Sequence, residues 1–216
     1  MNLLSRITSN KIIAIIRGAD PGDVLQIAGA LKQGGVDILE VTLNSQDALS
    51  LIGRLVKTFG DEMLIGAGTV LDPKMAKAVI ELGAKFIVSP NVDVETIQAT
   101  KASGALSIPG AFTATEIVNA YSHGGDIIKI FPASSAEYIR VLRGPLSHVP
   151  MMPTGGITLE NISEFKKTGA AAFGIGTSLV DTKKKITKEY LKQVTENANK
   201  FVQAVDSKNS PQWINF

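Results

Sequence analysis

Short apolar runs alternate with longer amphipathic stretches along the chain. This is the pattern of strands buried on both faces, each followed by a helix that covers it. Eight runs are spaced in this way: Ile12 to Arg17, Ile38 to Thr42, Met63 to Gly68, Phe86 to Ser89, Ala105 to Ile108, Ile127 to Phe131, Val149 to Thr154, and Ala172 to Gly176. Helical periodicity fills the intervals, with start signals at Asp20-Pro21 before Val24 to Lys32, at Asp72-Pro73 before Met75 to Leu82, and at Thr113 before Glu116 to Ser122. Helix ends are marked by Gly34-Gly35, Gly60, Gly83, Gly104, Gly124-Gly125 and Gly169. Residues 1 to 9 read as a short extra helix, and Lys183 to Val205 as an amphipathic C-terminal helix with Lys183-Lys184-Lys185 on its solvated face. The tail Asp206 to Phe216 reads as poorly ordered, with Trp213 and Phe216 as its possible anchors.

Eight strand–helix units with no linker, charge block or low-complexity segment between them predict an α/β fold: a single (β/α)8 TIM barrel over residues 1–216, with an extra N-terminal helix. A doubly wound open sheet is the rival, since strand count alone does not separate the two. At 216 residues and 44% hydrophobic, the chain can bury a full core. Its 22 basic and 20 acidic residues are dispersed, so there is no electrostatic footprint for nucleic acid. The absence of cysteine excludes disulfides, a thiol nucleophile and cysteine metal sites, and two histidines, His123 and His148, are too few for a typical zinc site. The N-terminus lacks a secretory pattern and no apolar run is long enough to span a membrane, which makes the cytoplasm the expected location.

In a barrel the functional groups project from the C-terminal ends of the strands. Lys129 stands out there, because it is the lone charge in the run Ile127-Ile128-Lys129-Ile130-Phe131. An ammonium stripped of hydration holds its proton weakly, and the free amine can form a Schiff base. Strand alternation places Glu40 with Ile38 and Thr42, and Lys129 with Ile127 and Phe131, on the barrel interior, leaving Leu39, Val41, Ile128 and Ile130 for the helix layer. A carboxylate and an amine in one dry cavity make either an ion pair or a proton shuttle beside a nucleophile. The desolvation cost favours the second. The glycine-rich segments Thr154-Gly155-Gly156-Ile157-Thr158 and Gly174-Ile175-Gly176-Thr177-Ser178 follow the seventh and eighth runs, where this fold binds phosphate. No Walker or GxGxxG motif supports nucleotide binding.

Seven ordered segments carry a resemblance: Ile13 to Gly18, Leu39-Glu40-Val41-Thr42-Leu43, Ile65-Gly66-Ala67-Gly68-Thr69-Val70-Leu71, Val88-Ser89-Pro90-Asn91, Pro109-Gly110, Lys129-Ile130-Phe131-Pro132-Ala133, and Pro153-Thr154-Gly155-Gly156-Ile157. Through them the chain resembles the 2-keto-3-deoxy-6-phosphogluconate and 2-keto-3-deoxy-6-phosphogalactonate aldolases, a family that includes 4-hydroxy-2-oxoglutarate aldolases. The resemblance implies a class I lyase without metal or other cofactor, in which Lys129 attacks the substrate ketone and Glu40 moves protons. It further implies that the Thr69 region holds the pyruvate carboxylate and that Arg17 contacts a substrate carboxylate or hydroxyl. Pro90 and Phe131 would shape the cavity, with Thr154, Gly155, Gly156 and Thr177 around the phosphate. Its implied partners are a phosphorylated 2-keto-3-deoxy sugar acid and pyruvate, and its usual assembly is a homotrimer. Gluconate-type members often carry arginine just after the Glu-Val-Thr motif. This chain has Asn44-Ser45, closer to the galactonate-type branch, which shifts anion binding toward Arg17. The competing readings are a phosphate-binding barrel isomerase or epimerase, which forms no covalent adduct, and a non-catalytic trimeric relative.

Overall fold

The computed structural model describes residues 2–206; the C-terminal anchors expected at Trp213 and Phe216 lie outside the described residues. Helix α1 (Leu3–Asn10) is followed by β1 (Ile12–Ile16), α2 (Val24–Gln33), β2 (Ile38–Thr42), α3 (Ala48–Phe59), β3 (Leu64–Gly68), α4 (Pro73–Glu81), β4 (Phe86–Val88) and α5 (Val94–Ala102). Then come β5 (Leu106–Ile108), β6 (Gly110–Ala111), α6 (Ala114–Ser122), β7 (Ile128–Ile130), α7 (Ala136–Arg143), β8 (Met151–Pro153), α8 (Ile162–Lys167), β9 (Phe173–Ile175) and α9 (Lys188–Val205). The result is an α/β fold in which every strand pairing is parallel. Six strands lie in the order β5-β4-β3-β2-β1-β9 and three in the order β6-β7-β8. The two groups meet at a bridge between Thr154 and Gly174, and Pro109 alone separates β5 from β6 in sequence.

Each of the eight apolar runs contains a strand, and the fifth extends past its expected end at Ile108 into β6. Proline has no N–H to donate, so the ladder breaks at Pro109: Leu106 to Ile108 pair with β4, whereas Gly110 and Ala111 pair with β7. Two of the three expected helix starts carry side-chain caps, whereas α2 begins after Asp23 without one, Asp20 accepting instead from the Gly22 N–H. The Asp72 side chain accepts from the Met75 N–H, and Thr113 with Glu116 forms a reciprocal capping box. The C-terminal helix begins later than its pattern indicates, because Thr187 caps it and Lys183 to Ile186 lie in the preceding loop. The three lysines therefore precede the helix and do not form a face of it.

The strands divide their side chains between two apolar clusters. The inner one contains Ile13, Ile38, Leu64, Phe86, Leu106, Ile127 and Ala172, near the strand starts, together with Val88, Ile108 and Met152 further along. The outer one joins Leu39, Val41, Ile128 and Ile130 to the helices, as alternation requires. Helix α1 belongs to the inner cluster through fully buried Ile7, with Leu3 and Leu4 beside it, and so covers the end of the sheet where the strands begin. Arg6 fastens this helix by donating from Nε and Nη2 to Asp37 Oδ2, at 3.0 and 2.6 Å, while Asn10 donates to Asp37 Oδ1 at 2.6 Å. With that end filled, polar side chains on the inner face sit toward the opposite end.

The inner face has no spare volume around Phe86. A Cβ on Gly66 would fall 2.4 Å from the buried Phe86 ring, so β3 must carry glycine for the ring to lie across it. Gly66→Ala is expected to destabilise the fold by about 1–3 kcal/mol through overpacking. Urea denaturation checks this, and an unchanged midpoint would show that Phe86 has room to move.

Candidate active site

Glu40 and Lys129 occupy the inner face one alternation step beyond the apolar residues Ile38 and Ile127. Only 1% of Glu40 and 4% of Lys129 is exposed, so both have lost nearly all their water. Neither carboxylate oxygen of Glu40 has a hydrogen-bond partner among the described residues. Burial raises the Glu40 pKa, against the opposing pull of Lys129 and Arg17. Burial likewise lowers the Lys129 pKa, Glu40 acting in the opposite sense and Arg17 in the same one. Both groups are thus driven toward their uncharged forms. A neutral amine is a nucleophile, and a carboxyl whose pKa is raised can give a proton as well as take one.

The backbone around the pair is shaped to admit it. A Cβ on Gly68 would fall 1.7 Å from Glu40 Oε1, so the carboxylate rests directly against the end of β3. The next residue, Thr69, has φ 56°, a left-handed conformation that is unusual for a β-branched residue. Such strain, of order 1–3 kcal/mol, tends to cluster at functional sites. The Phe131 ring lies 4.7 Å from Lys129 Nζ and is 37% exposed, so it connects the buried amine with the open end of the sheet.

Beyond Phe131 opens a cavity of about 270 Å³, lined by Arg17, Phe131, Thr154, Gly155, Gly156 and Thr177 among the residues expected from sequence. Gly155 and Gly156 have φ of 91° and 72°, and a Cβ on Gly156 would meet nothing within 4 Å, so a ligand has free approach to the backbone there. Thr154 is buried against Gly174, where a Cβ would come within 2.4 Å of the threonine hydroxyl. The Ser178 hydroxyl donates to the Ile157 carbonyl and ties the two glycine-rich segments together. Thr69 and Pro90 do not line this cavity. Thr69 directly follows Gly68, against which the Glu40 carboxylate rests, and Pro90 follows β4, where its backbone leaves no room for a side chain on Gly110. Thr158, the last residue of the first glycine-rich segment, also lines the cavity, as do Val180 and Thr182, which lie in a loop without periodicity or a glycine-rich signal. His123 and His148 lie elsewhere: His123 caps the end of α6, and exposed His148 lies edge-on to Tyr121.

A pair driven toward neutrality, next to an open cavity with glycine turns and hydroxyls, suits carbonyl chemistry on an anionic substrate. The comparisons agree. The family model described as "Aldolase: KDPG and KHG aldolase" matches residues 3–197, and the chain belongs to that family. Aldolases are carbon–carbon lyases, and this protein is an enzyme of that class. The chain is 38% identical over 175 residues to a 2-dehydro-3-deoxy-6-phosphogalactonate aldolase of Escherichia coli, covering 80% of this chain and 85% of that one. It is 35% identical over 158 residues to a 2-dehydro-3-deoxy-phosphogluconate aldolase of Pseudomonas aeruginosa, covering 72% and 71%. Among solved structures it superimposes on a KDPG aldolase from Legionella pneumophila with pyruvate captured as a covalent carbinolamine, with a TM-score of 0.76 and 29% identity over 97% of this chain and 99% of that one.

The cost of burying Glu40 gives a pH signature. Because its folded pKa lies above the ordinary value of 4.5, its contribution to stability is fully present below that value and is lost as the pH rises through the folded pKa. Glu40→Gln carries no such loss. The variant is therefore expected to gain stability relative to wild type between pH 4.5 and neutrality, and denaturant titrations across that range check it. A constant difference would mean that Glu40 ionises in the fold as readily as in water.

Proposed function

We propose that this protein is a Schiff-base aldolase that cleaves a 2-keto-3-deoxy-6-phospho-sugar acid of galactonate or gluconate type to pyruvate and glyceraldehyde 3-phosphate, with 4-hydroxy-2-oxoglutarate as a second substrate. The observation that carries the reading is the buried Lys129, its amine pushed by burial toward the neutral form on the inner face that also holds the unpartnered Glu40 carboxyl. The free amine attacks the C2 ketone, and loss of water from the carbinolamine gives an iminium. Glu40 gives its proton to the departing carbinolamine hydroxyl, and the carboxylate so formed accepts the C4 hydroxyl proton as the C3–C4 bond breaks, the bonding electrons passing into the iminium to form a pyruvate enamine. Glu40 then returns a proton to C3, and water releases pyruvate from Lys129.

In this reading the backbone at Thr69, next to Glu40, holds the pyruvate carboxylate, and Pro90 closes that side of the pocket. The terminal phosphate enters the cavity of Thr154, Gly155, Gly156 and Thr177 with its hydroxyls and open glycine backbone, and Phe131 packs on the carbon chain between the two ends. Arg17 supplies the full positive charge at the cavity. The architecture proposed is one (β/α)8 barrel domain, β5 and β6 forming a single strand interrupted at Pro109 and the Thr154–Gly174 bridge closing the ring, with α1 as an end cap. A homotrimer is proposed as the assembly and the cytoplasm as its location. Among the described residues no helix is long and apolar enough to cross a membrane.

The pair Asn44-Ser45 and the 38% identity to a phosphogalactonate aldolase favour the galactonate-type epimer. Assaying both C4 epimers with a coupled detection of pyruvate is expected to give cleavage of both, faster for the galactonate type. Lys129→Ala should lower kcat by at least about 10³-fold with the fold intact, since the covalent route is lost. Glu40→Gln should lower it by about 10²-fold. Turnover near wild type in Lys129→Ala would remove the Schiff base from the mechanism, and retention by Glu40→Gln would reduce Glu40 to a structural part.

A further inference from the structure

The peptide unit that carries Arg17 into the site is gripped at both of its polar groups by hydroxyls from two other loops. The Gly18 N–H donates to Ser45 Oγ at 2.9 Å, and the Thr182 hydroxyl donates to the Arg17 carbonyl at 2.6 Å. These are the two ends of one planar peptide, so together they fix its orientation. Gly18, at φ 65°, takes the left-handed conformation this turn needs.

The Ser45 hydroxyl is itself held, and so is the backbone beside Thr182. Ser45 Oγ lies 3.1 Å from Thr42 Oγ1, whose hydroxyl donates to the Ile16 carbonyl at 3.4 Å. The backbone next to Thr182 is fixed by α9: the Asp181 N–H donates to the Tyr190 hydroxyl at 2.7 Å, and that hydroxyl donates to the Asp181 carbonyl at 3.0 Å. The loops after β1, β2 and β9 therefore converge on the Arg17–Gly18 peptide. Arg17 itself is exposed, and no described partner fixes its guanidinium, so its direction depends on where its backbone is set. Its charge is nevertheless felt at both Glu40 and Lys129.

We propose that Ser45 and Thr182 are positioning residues that clamp the Arg17–Gly18 peptide, hold the Arg17 guanidinium toward the Glu40–Lys129 pair, and act on the reaction only through Arg17. This inference rests on the aldolase reading of the site. It gives Ser45 a task different from anion binding, and it gives a function to Thr182, which no motif singles out. A guanidinium whose backbone is set before substrate arrives has less reordering to undergo in the transition state.

The test is a double-mutant cycle in the cleavage assay with the preferred epimer. Thr182→Val and Ser45→Ala are each expected to lower kcat/KM about fivefold, the value of one ordinary hydrogen bond. Thr182→Ser, which keeps the hydroxyl, should stay within about twofold of wild type. In an Arg17→Ala background neither substitution should cause a further loss. The charged groups acting on Lys129 are Glu40 and Arg17, and the Phe131 ring covers it. Displacing the guanidinium lets Lys129 keep its proton to higher pH, so the acid limb of the kcat/KM profile should move upward in Thr182→Val and in Arg17→Ala alike. Losses that multiply in the Arg17→Ala background, a limb that does not move in Thr182→Val, or full activity in the single variants would each overturn the proposal. If Thr182→Val does not fold, Ser45→Ala carries the cycle from the other end of the same peptide. Wild-type protein that cleaves neither epimer would instead fell the aldolase reading, and the clamp with it.

Discussion

The site depends on the desolvation of two opposite ionisable groups on one inner face, without the hydrogen bonds that would settle them as an ordinary ion pair. Glu40 and Lys129 are almost fully buried, and the Glu40 carboxylate has no hydrogen-bond partner among the described residues. An arrangement of this kind costs several kcal/mol and persists only where the surrounding structure is stable enough to impose it. Here the imposing structure is the rest of the inner face. Apolar residues and α1 fill one end, so the polar step of each strand comes at the other. Gly66 lets Phe86 lie across β3, and Gly68 lets the carboxylate rest on the backbone.

That constraint links packing to chemistry. The environment that makes the pair expensive also makes the amine nucleophilic and the carboxyl able to exchange protons, because burial pushes each toward its neutral form. Arg17 adds a second cation, which favours deprotonation of Lys129 while opposing the rise at Glu40. Its effect depends on where its side chain lies, which gives the hydroxyl clamp on its peptide a route to the reaction without any contact with the reacting atoms.

Much of this was legible in the sequence, and the reason is periodicity. Alternation along β2 and β7 assigns Glu40 and Lys129 to the same face because a strand has only two faces, and the division of Ile38 and Ile127 from Leu39, Val41, Ile128 and Ile130 follows that rule. The glycine-rich segments after β8 and β9 meet in one cavity because parallel strands place successive loops at the same end. Where side chains act through loops, the pattern gave no signal. Thr182 reaches the Arg17 carbonyl across 165 positions of sequence, and nothing local marks it. The break at Pro109 was visible as a proline, but not as the exchange of ladder partners that it produces. The late start of α9 reflects the cap at Thr187, which the lysine-rich run before it obscures.

The most direct test of the central claim, that a neutral amine on Lys129 is the nucleophile, is intact-mass measurement after incubation with pyruvate and borohydride, followed by peptide mapping. The account predicts one reduced pyruvate adduct per chain, located on Lys129. Folded, catalytically competent protein that gains no adduct, or gains it on another lysine, would contradict it.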